Sequence, residues 1–359
     1  EEFREKICDC VARGMHPLVV GSAWSFWSQR QAAKGPVFYT THLRRRSSIL
    51  NKQTGNTLWE WECGARMADI QEALHKHALA IIEFPSLPNV TVGAWVATHC
   101  HGHTGAIETS HIKEVVLLDI VQNRLQRESL PRTKILLASG NFVVLSVALY
   151  PEPICIMRQS ARRITQPCDV RWWLQPTTRL RLLFVGRHGC TGIIWTKVEH
   201  PTEEEERMVD DGGLVSNWYR FEVTNLALGP PCTKSLEKLQ HSDRAASFVP
   251  ALYPEHLIAA TMLRFVNFET FVRTSMTTES LYTIVARLRL FHSQFGGRSE
   301  IRTQGGILMI DWAVNHGQHH LKAVFECMHS LRLHRLAFHP GKYIVHDTHP
   351  CTAVPVHTI

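Results

Sequence analysis

The residues from Pro85 to Gly105 (PSLPNVTVGAWVATHCHGHTG) combine types that could do chemistry. A turn bounded by Pro85 and Pro88 leads into small and β-branched residues around Gly93 and Ala94. A second turn follows at Gly102 and Gly105. Small residues let a backbone approach a ligand closely. N–H groups exposed at a tight turn or helix start can hold a pyrophosphate. His99, His101 and His103 alternate around Cys100, and on a strand that spacing could set three imidazoles on one face for zinc. The flanking residues fit a dinucleotide loop better, and no carboxylate second shell is identifiable, so no metal is expected. A second turn of the same kind follows the short apolar run Pro17–Val20, at Gly21-Ser22-Ala23-Trp24-Ser25-Phe26. Alone, that turn reads equally as a plain β-turn.

Composition sets the frame around these turns. The chain has 359 residues, enough for two domains that each bury a core. Apolar content of 44% and charged content of 20% are ordinary for a globular protein. No run of eighteen apolar residues indicates a membrane span. The formal charge of +7 is scattered, with Arg44-Arg45-Arg46 as the one compact run. That run reads as a solvated loop, and without a continuous basic face nucleic acid is not an expected partner. The ten cysteines form no CxxC series and read as reduced thiols. The 22 histidines are many, and most have no account in the sequence. The chain starts at Glu1 without Met, which reads as a processed product or a fragment.

The elements that must position the turns follow from periodicity. Residues 1–13 read as a helix that Gly14 ends, with acidic residues at its start. Strands are expected at 17–20, 37–39 and 57–63, with a polar, basic connection over 42–56. Residues 65–79 form an amphipathic helix burying Met67, Ile70 and Leu74. Strands over 114–121 and 142–149 complete an α+β region that stops at Pro151 and Pro153. Beyond it, strands are expected at 180–185, 193–198, 299–303 and 307–314, with helices at 281–295 and 319–332. Residues 202–213 (TEEEERMVDDGG) read as a solvated acidic loop, and the tail from 350 as loosely structured.

Taken together and in order, these motifs resemble the vanillyl-alcohol-oxidase type of FAD-binding family, closest to its sugar-lactone and alditol oxidases. Val19-Val20-Gly21-Ser22-Ala23-Trp24-Ser25-Phe26 is similar to the family's V-G-S-G-H-S-F loop. Glu62 to Ile70 resembles G-x-R-L-x-D-L. Ser86 to Gly105 resembles S-L-P-x-x-T-V-G-G-x-x-A-T-G-T-H-G-S-G. Phe142–Leu149 is placed like the G-V-I-T-x-V-T-L strand. Glu300-Ile301-Arg302 looks like the E-V-R strand of the substrate domain, and His339-Pro340-Gly341-Lys342 like the C-terminal H-W-G-K.

The resemblance implies an α+β architecture: a two-subdomain FAD-binding domain over 1–153, an α+β substrate or cap domain over 154–335, and a segment 336–359 returning to the first domain. It implies FAD held by Gly21, Ser22, Ala23, Trp24, Ser25, Pro88, Gly93, Ala94, Thr98, His101, Gly102, Val144 and His339. It places Glu300, Arg302 and Lys342 at the substrate and flavin N1. The expected reaction is oxidation of a sugar-lactone or polyol hydroxyl by hydride transfer to flavin N5, with oxygen or a protein as electron acceptor. Trp24 stands where the family often keeps the histidine that attaches flavin covalently, so FAD is expected to be non-covalent. His99 and His103 replace a glycine and a serine of the family loop. These departures define the alternative: a degenerate member serving as a structural subunit of a larger assembly, with or without FAD. A mitochondrial address accompanies the resemblance to the plant galactonolactone dehydrogenase; otherwise a soluble intracellular protein is expected.

Overall fold

The structure, a computed structural model, describes residues 1–22, 35–50, 57–81, 85, 89–98 and 111–153. Beyond them it describes 156–164, 179–185, 190–198, 203, 243–247, 265–273, 278–295, 298–304, 307–315, 326 and 335–338. The chain divides into two compact units, one built on Glu1–Ile154 and one on Cys155–Ile344.

The first unit opens with α1 (Glu2–Ala12), which has Glu2 and Glu5 in its first turn, where the helix dipole favours carboxylates. Gly14 at φ 72° stops it, a conformation open to glycine without steric penalty. Strands β1 (Leu18–Val20) and β2 (Val37–Tyr39) pair in parallel. A five-stranded antiparallel sheet follows, built from β3 (Arg46–Leu50), β4 (Thr57–Glu62), β6 (Ile112–Asp119), β7 (Arg124–Glu128) and β8 (Phe142–Leu149). Its order is β3-β4-β8-β6-β7. A small pair joins β5 (Leu79–Ala80) to β9 (Glu152–Pro153).

Side chains sort onto the two faces of this sheet as alternation demands. On one face Ile7 of α1 is buried with Leu118 and Ile120, and Phe3, Val19, Phe38, Val143 and Leu145 pack around them. Phe3 meets Phe38 edge to face with centroids 6.2 Å apart. The other face carries Trp59, Trp61, Val115, Leu117, Val147 and Leu149, all buried. Three helices serve this part of the unit: α2 (Met67–His75), α3 (Val92–Ala97) and α4 (Leu130–Ala138). The short α3 packs on β4 and β8, and α4 on β6 and β8. Met67, Ile70 and Leu74 of α2 are fully buried, as the helical spacing requires, each contributing about 1.5–3 kcal/mol.

The second unit is an eight-stranded sheet in the order β13-β10-β12-β11-β15-β16-β14-β17. Its strands are β10 (Ile156–Ile164), β11 (Arg179–Val185), β12 (Cys190–Val198), β13 (Asp243–Ser247), β14 (Phe265–Arg273), β15 (Arg298–Gln304), β16 (Ile307–Asn315) and β17 (Arg335–Phe338). Every neighbouring pair is antiparallel. Helix α5 (Thr278–Phe295) packs on β11 and buries Ile284, Val285, Leu288 and Phe291. The buried His292 Nε2 lies 2.7 Å from Ser299 Oγ of β15.

Several elements differ from the sequence expectation. The basic connection over 42–56 holds β3, so Arg46 lies on an edge strand rather than in a loop. Residues 92–97, expected as part of a glycine loop, form a helical turn and a half. The β7 strand and α4 helix were not anticipated, nor were β10, β13, β14 and β17. The helix expected over 319–332 and the tail from 350 lie outside the described residues, apart from the helical Glu326. Among the described residues no helix is long and apolar enough to cross a membrane.

Candidate functional site

The site grows from three backbone segments that meet where Cβ atoms are missing. The parallel pair β1–β2 ends at Val20 and Tyr39, and Thr40 N–H closes the end by donating to Val20 O at 2.9 Å. The next segment is the turn after β4. Cys63 N–H donates to Leu145 O at 2.8 Å, and Gly64 N–H to Leu43 O at 2.9 Å. A Cβ on Gly64 would run into Thr40 O, so glycine is required for this approach.

The third segment is 89–98. Val92 N–H donates to Ala65 O at 2.8 Å, and Gly93 N–H to Cys63 O at 2.9 Å. Met67 N–H returns a bond to Val90 O at 2.9 Å. A Cβ on Gly93 would sit 2.7 Å from Cys63 Cβ and 3.0 Å from Cys63 O. Thr91 is the N-cap of α3, and its Oγ1 accepts from Ala94 N–H at 3.3 Å. Trp95 N–H donates to Thr91 O. The N–H groups of residues 92 to 95 are therefore all engaged within the protein.

The β1 turn then docks on this segment. Ser22 Oγ donates to Asn89 O at 2.5 Å. Gly21 lies against α3, where a Cβ would strike Thr91 Oγ1 and approach Ala94 Cβ to 3.2 Å. The two glycine-bearing stretches, far apart in sequence, are thus one structural feature. Arg66, the N-cap of α2, holds Asp69 through two bonds of 2.9 and 3.0 Å. That half-exposed pair contributes about 0–1 kcal/mol and fixes the start of α2. Burial pushes the Cys63 thiol up to about 12, so it stays protonated and inert. Cys8, Cys10 and Cys63 are all free thiols.

The structure thus brings Gly21, Ser22, Gly93 and Ala94 together. Thr98 follows at the end of α3, its Oγ1 donating to Ala94 O at 2.8 Å. Val144 is buried in β8, register partner of Leu117. Glu300 and Arg302 lie on β15 of the second unit. Glu300 is in register with Leu183 of β11 and Arg302 with Arg181. Ala23, Trp24, Ser25, Pro88, His101, Gly102, His339 and Lys342 lie outside the described residues, as do His99 and His103. Among the described residues no group of three His, Cys, Asp or Glu could hold a metal ion.

Sequence reading missed Asn89, Thr91 and Thr40 as partners of the turns. Thr91 had a usable signal, a threonine immediately before a small-residue helical turn, which is an N-cap pattern. Asn89 acts through its backbone carbonyl, for which side-chain identity carries no signal.

Residues 1–124 match the family model for an FAD binding domain. No curated protein matches the sequence. Among solved structures, cholesterol oxidase from B. sterolicum is similar at 13% identity and a TM-score of 0.62, over 91% of this chain and 78% of that one. A chitooligosaccharide oxidase is similar at 10% identity and a TM-score of 0.61, over 91% and 77%. The berberine bridge enzyme, in a complex with (S)-reticuline, is similar at 11% identity and a TM-score of 0.55, over 92% and 71%. The chain shares the mixed helix-and-sheet fold of these proteins, and the match of residues 1–124 to an FAD binding domain gives FAD as its cofactor. The cradle fits that group: a parallel strand ends in a turn whose Gly21 position leaves no room for a side chain.

Proposed function

We propose that the chain is an FAD-dependent oxidoreductase that oxidises a hydroxyl of a sugar-derived lactone or polyol, with FAD held non-covalently. The observation that carries this reading is the docking of the Gly21–Ser22 turn on Asn89–Ala94 within the region matched as an FAD-binding domain. Bound FAD supplies a hydride acceptor. Gly21 and Ser22, with the Ala23–Ser25 segment that follows, line the cofactor's pyrophosphate side. Because the N–H groups of residues 92 to 95 are engaged internally, the second contribution falls to Thr98, His101 and Gly102. Arg302 and Lys342 supply positive charge that stabilises reduced flavin, and Glu300 orients the substrate hydroxyl. Trp24 in place of the family's histidine supports non-covalent binding, since indole forms no such bond.

The test is direct. Purified protein should be yellow, with flavin absorbance near roughly 450 nm, and FAD should leave on denaturation without proteolysis. Mixing with an aldonolactone or alditol should bleach it, and Lys342→Ala should keep the flavin but slow bleaching. A colourless protein that takes up no added FAD overturns the reading. A second reading is favoured by His99 and His103, bulky residues where the family loop is small. It makes the chain a catalytically inactive subunit of a larger assembly, and a mitochondrial location belongs with either reading. Stable co-purification with other chains, and no bleaching by any hydroxylated substrate, would select it.

A further inference from the structure

Strand β7 ends the first unit's five-stranded sheet, and among the described strands β6 is its one neighbour. A bare strand edge is a template for pairing, and proteins blunt it with proline, lysine, bulges or a covering segment. The β7 sequence, RLQRE, contains no proline or lysine, and its ladder with β6 runs from Val115–Glu128 to Asp119–Arg124 without a register shift. Arg124, Leu125 and Arg127 are exposed. Leu125 is 46% exposed, and Val121 in the turn before the strand is more open still.

The charges of β7 fall into two kinds. Arg127 is already paired within its own sheet: it bonds Glu114 of β6, and its Nη1 lies 3.8 Å from Glu60 Oε2 of β4. Arg124 and Glu128 have no ion-pair partner among the described residues. The register partner of Arg124 is Asp119, which is buried and whose Oδ1 accepts from the N–H groups of Val121 and Gln122.

An antiparallel match of β7 with a second β7, centred on Gln126, gives both charges a partner. Each Arg124 falls opposite the other copy's Glu128, Gln126 falls opposite Gln126, and Leu125 opposite Arg127. Opposite charges placed directly across a sheet are stabilising, and no like charges meet. The smallest slip that keeps side chains on their faces is two residues. In one direction it sets Arg127 against Arg127. In the other it sets Arg124 against Gln126 and leaves no ion pair. The strand is therefore complementary to itself in a single register.

We propose that the β7 edge is a self-association surface: two copies of this chain pair their β7 strands about a twofold axis at Gln126, through reciprocal Arg124–Glu128 ion pairs, and join their five-stranded sheets. Such a contact uses the same edge on both copies and closes at two. A five-residue edge buries little area, so the association depends on concentration. The inference does not rest on the flavin reading.

Sedimentation velocity of the full chain over a concentration series tests it. The wild type should pass from one-chain to two-chain mass as concentration rises. Arg124→Glu opposes carboxylates at both ends of the strand pair, and Glu128→Arg opposes guanidinium groups. Each should weaken association about tenfold or more. Mixed in equal amounts, the two variants should associate with each other to within about threefold of the wild type, because every carboxylate at these positions then meets a guanidinium. The double variant Arg124→Glu/Glu128→Arg should recover the same affinity by itself. Lys76→Glu, at the exposed end of α2, should change nothing. If the double variant fails to fold, the mixture still decides. One-chain mass at every concentration overturns the proposal. So does a dimer that neither reversal weakens, the result expected of a different contact surface. A mixture of the two variants that stays at one-chain mass also overturns it.

Discussion

The two units meet their requirements by opposite means. In the first, the features around Gly21 and Gly93 depend on atoms that are missing. Three glycines let backbone segments touch, and most of the cohesion there is N–H to carbonyl bonding. In the second, the described features are the strand registers of a wide antiparallel sheet and the buried contact of His292 with Ser299. A site built on close backbone approach tolerates almost no added volume. One built on alternation tolerates volume changes but not a shift of register.

The largest effect should come from the first unit's core. Trp95 is fully buried in α3, and Trp95→Ala should lower unfolding free energy by about 3–5 kcal/mol, measured by denaturant melts. A loss below about 1 kcal/mol would mean that α3 is not held by packing.

Cys63 gives a pH test of the same region. Its thiol keeps its proton in the folded state up to about 12, whereas an unfolded thiol loses it near the ordinary value of 9.0. Between those values the unfolded chain binds fewer protons than the native one, so stability falls as pH rises. The loss should reach about 4 kcal/mol at most by the top of that window, read as a declining midpoint in alkaline urea melts. Below pH 9 this group should contribute no slope. A melt midpoint that is flat across the alkaline range would show that Cys63 is not sealed from water.

Gly93→Ala sharpens the contrast between the units. The added methyl meets Cys63 Cβ at 2.7 Å and should cost about 1–3 kcal/mol. It should also lower FAD occupancy, because it pushes α3 from the Cys63 turn on which the β1 turn's partners depend. The counterpart in the second unit is Ser299→Ala. It removes the bond to His292 and should cost about 0.5–1.5 kcal/mol while leaving flavin absorbance unchanged. Equal flavin loss in both variants would remove the distinction drawn between the units.

How much of this was legible beforehand depends on the signal each element carries. Helix α1, the strand β8 and the buried face of α2 were readable, because periodicity and buried positions coincide there. The glycine turns were readable as motifs, but not the fact that Ser22 and Asn89 bring them together, which only tertiary contact reveals. Strand β7 (RLQRE) is a charged edge strand, and such edges look like loops by composition. Strand β3 hid for the same reason behind Arg46, Ser47 and Ser48. Helix α4 had a signal that went unused: Ser129 at the N-cap and Pro131 in the first turn. In the 92–97 segment, Gly93 argued for a loop, whereas its lack of a side chain is what lets a helix sit on Cys63. Glu300 and Arg302 were visible as a motif, but their register partners on β11, Leu183 and Arg181, emerged only with the strand pairing.

One irregularity has a further consequence. Between Val116 and Leu117 the pairing of β6 with β8 skips Leu145, one of two register shifts in this ladder. It acts as a phase shift in the strand. Leu145 packs beside Ile7 with Val143, its carbonyl receives Cys63 N–H, and Ser146 next to it donates to Glu60 Oε1 at 2.6 Å. Deleting that single residue would leave the pairs on either side with the same partners and faces, yet would remove the carbonyl that receives Cys63 N–H and an apolar neighbour of Ile7. The extra residue is therefore a strut between the sheet and the Cys63 turn rather than a fault in the strand.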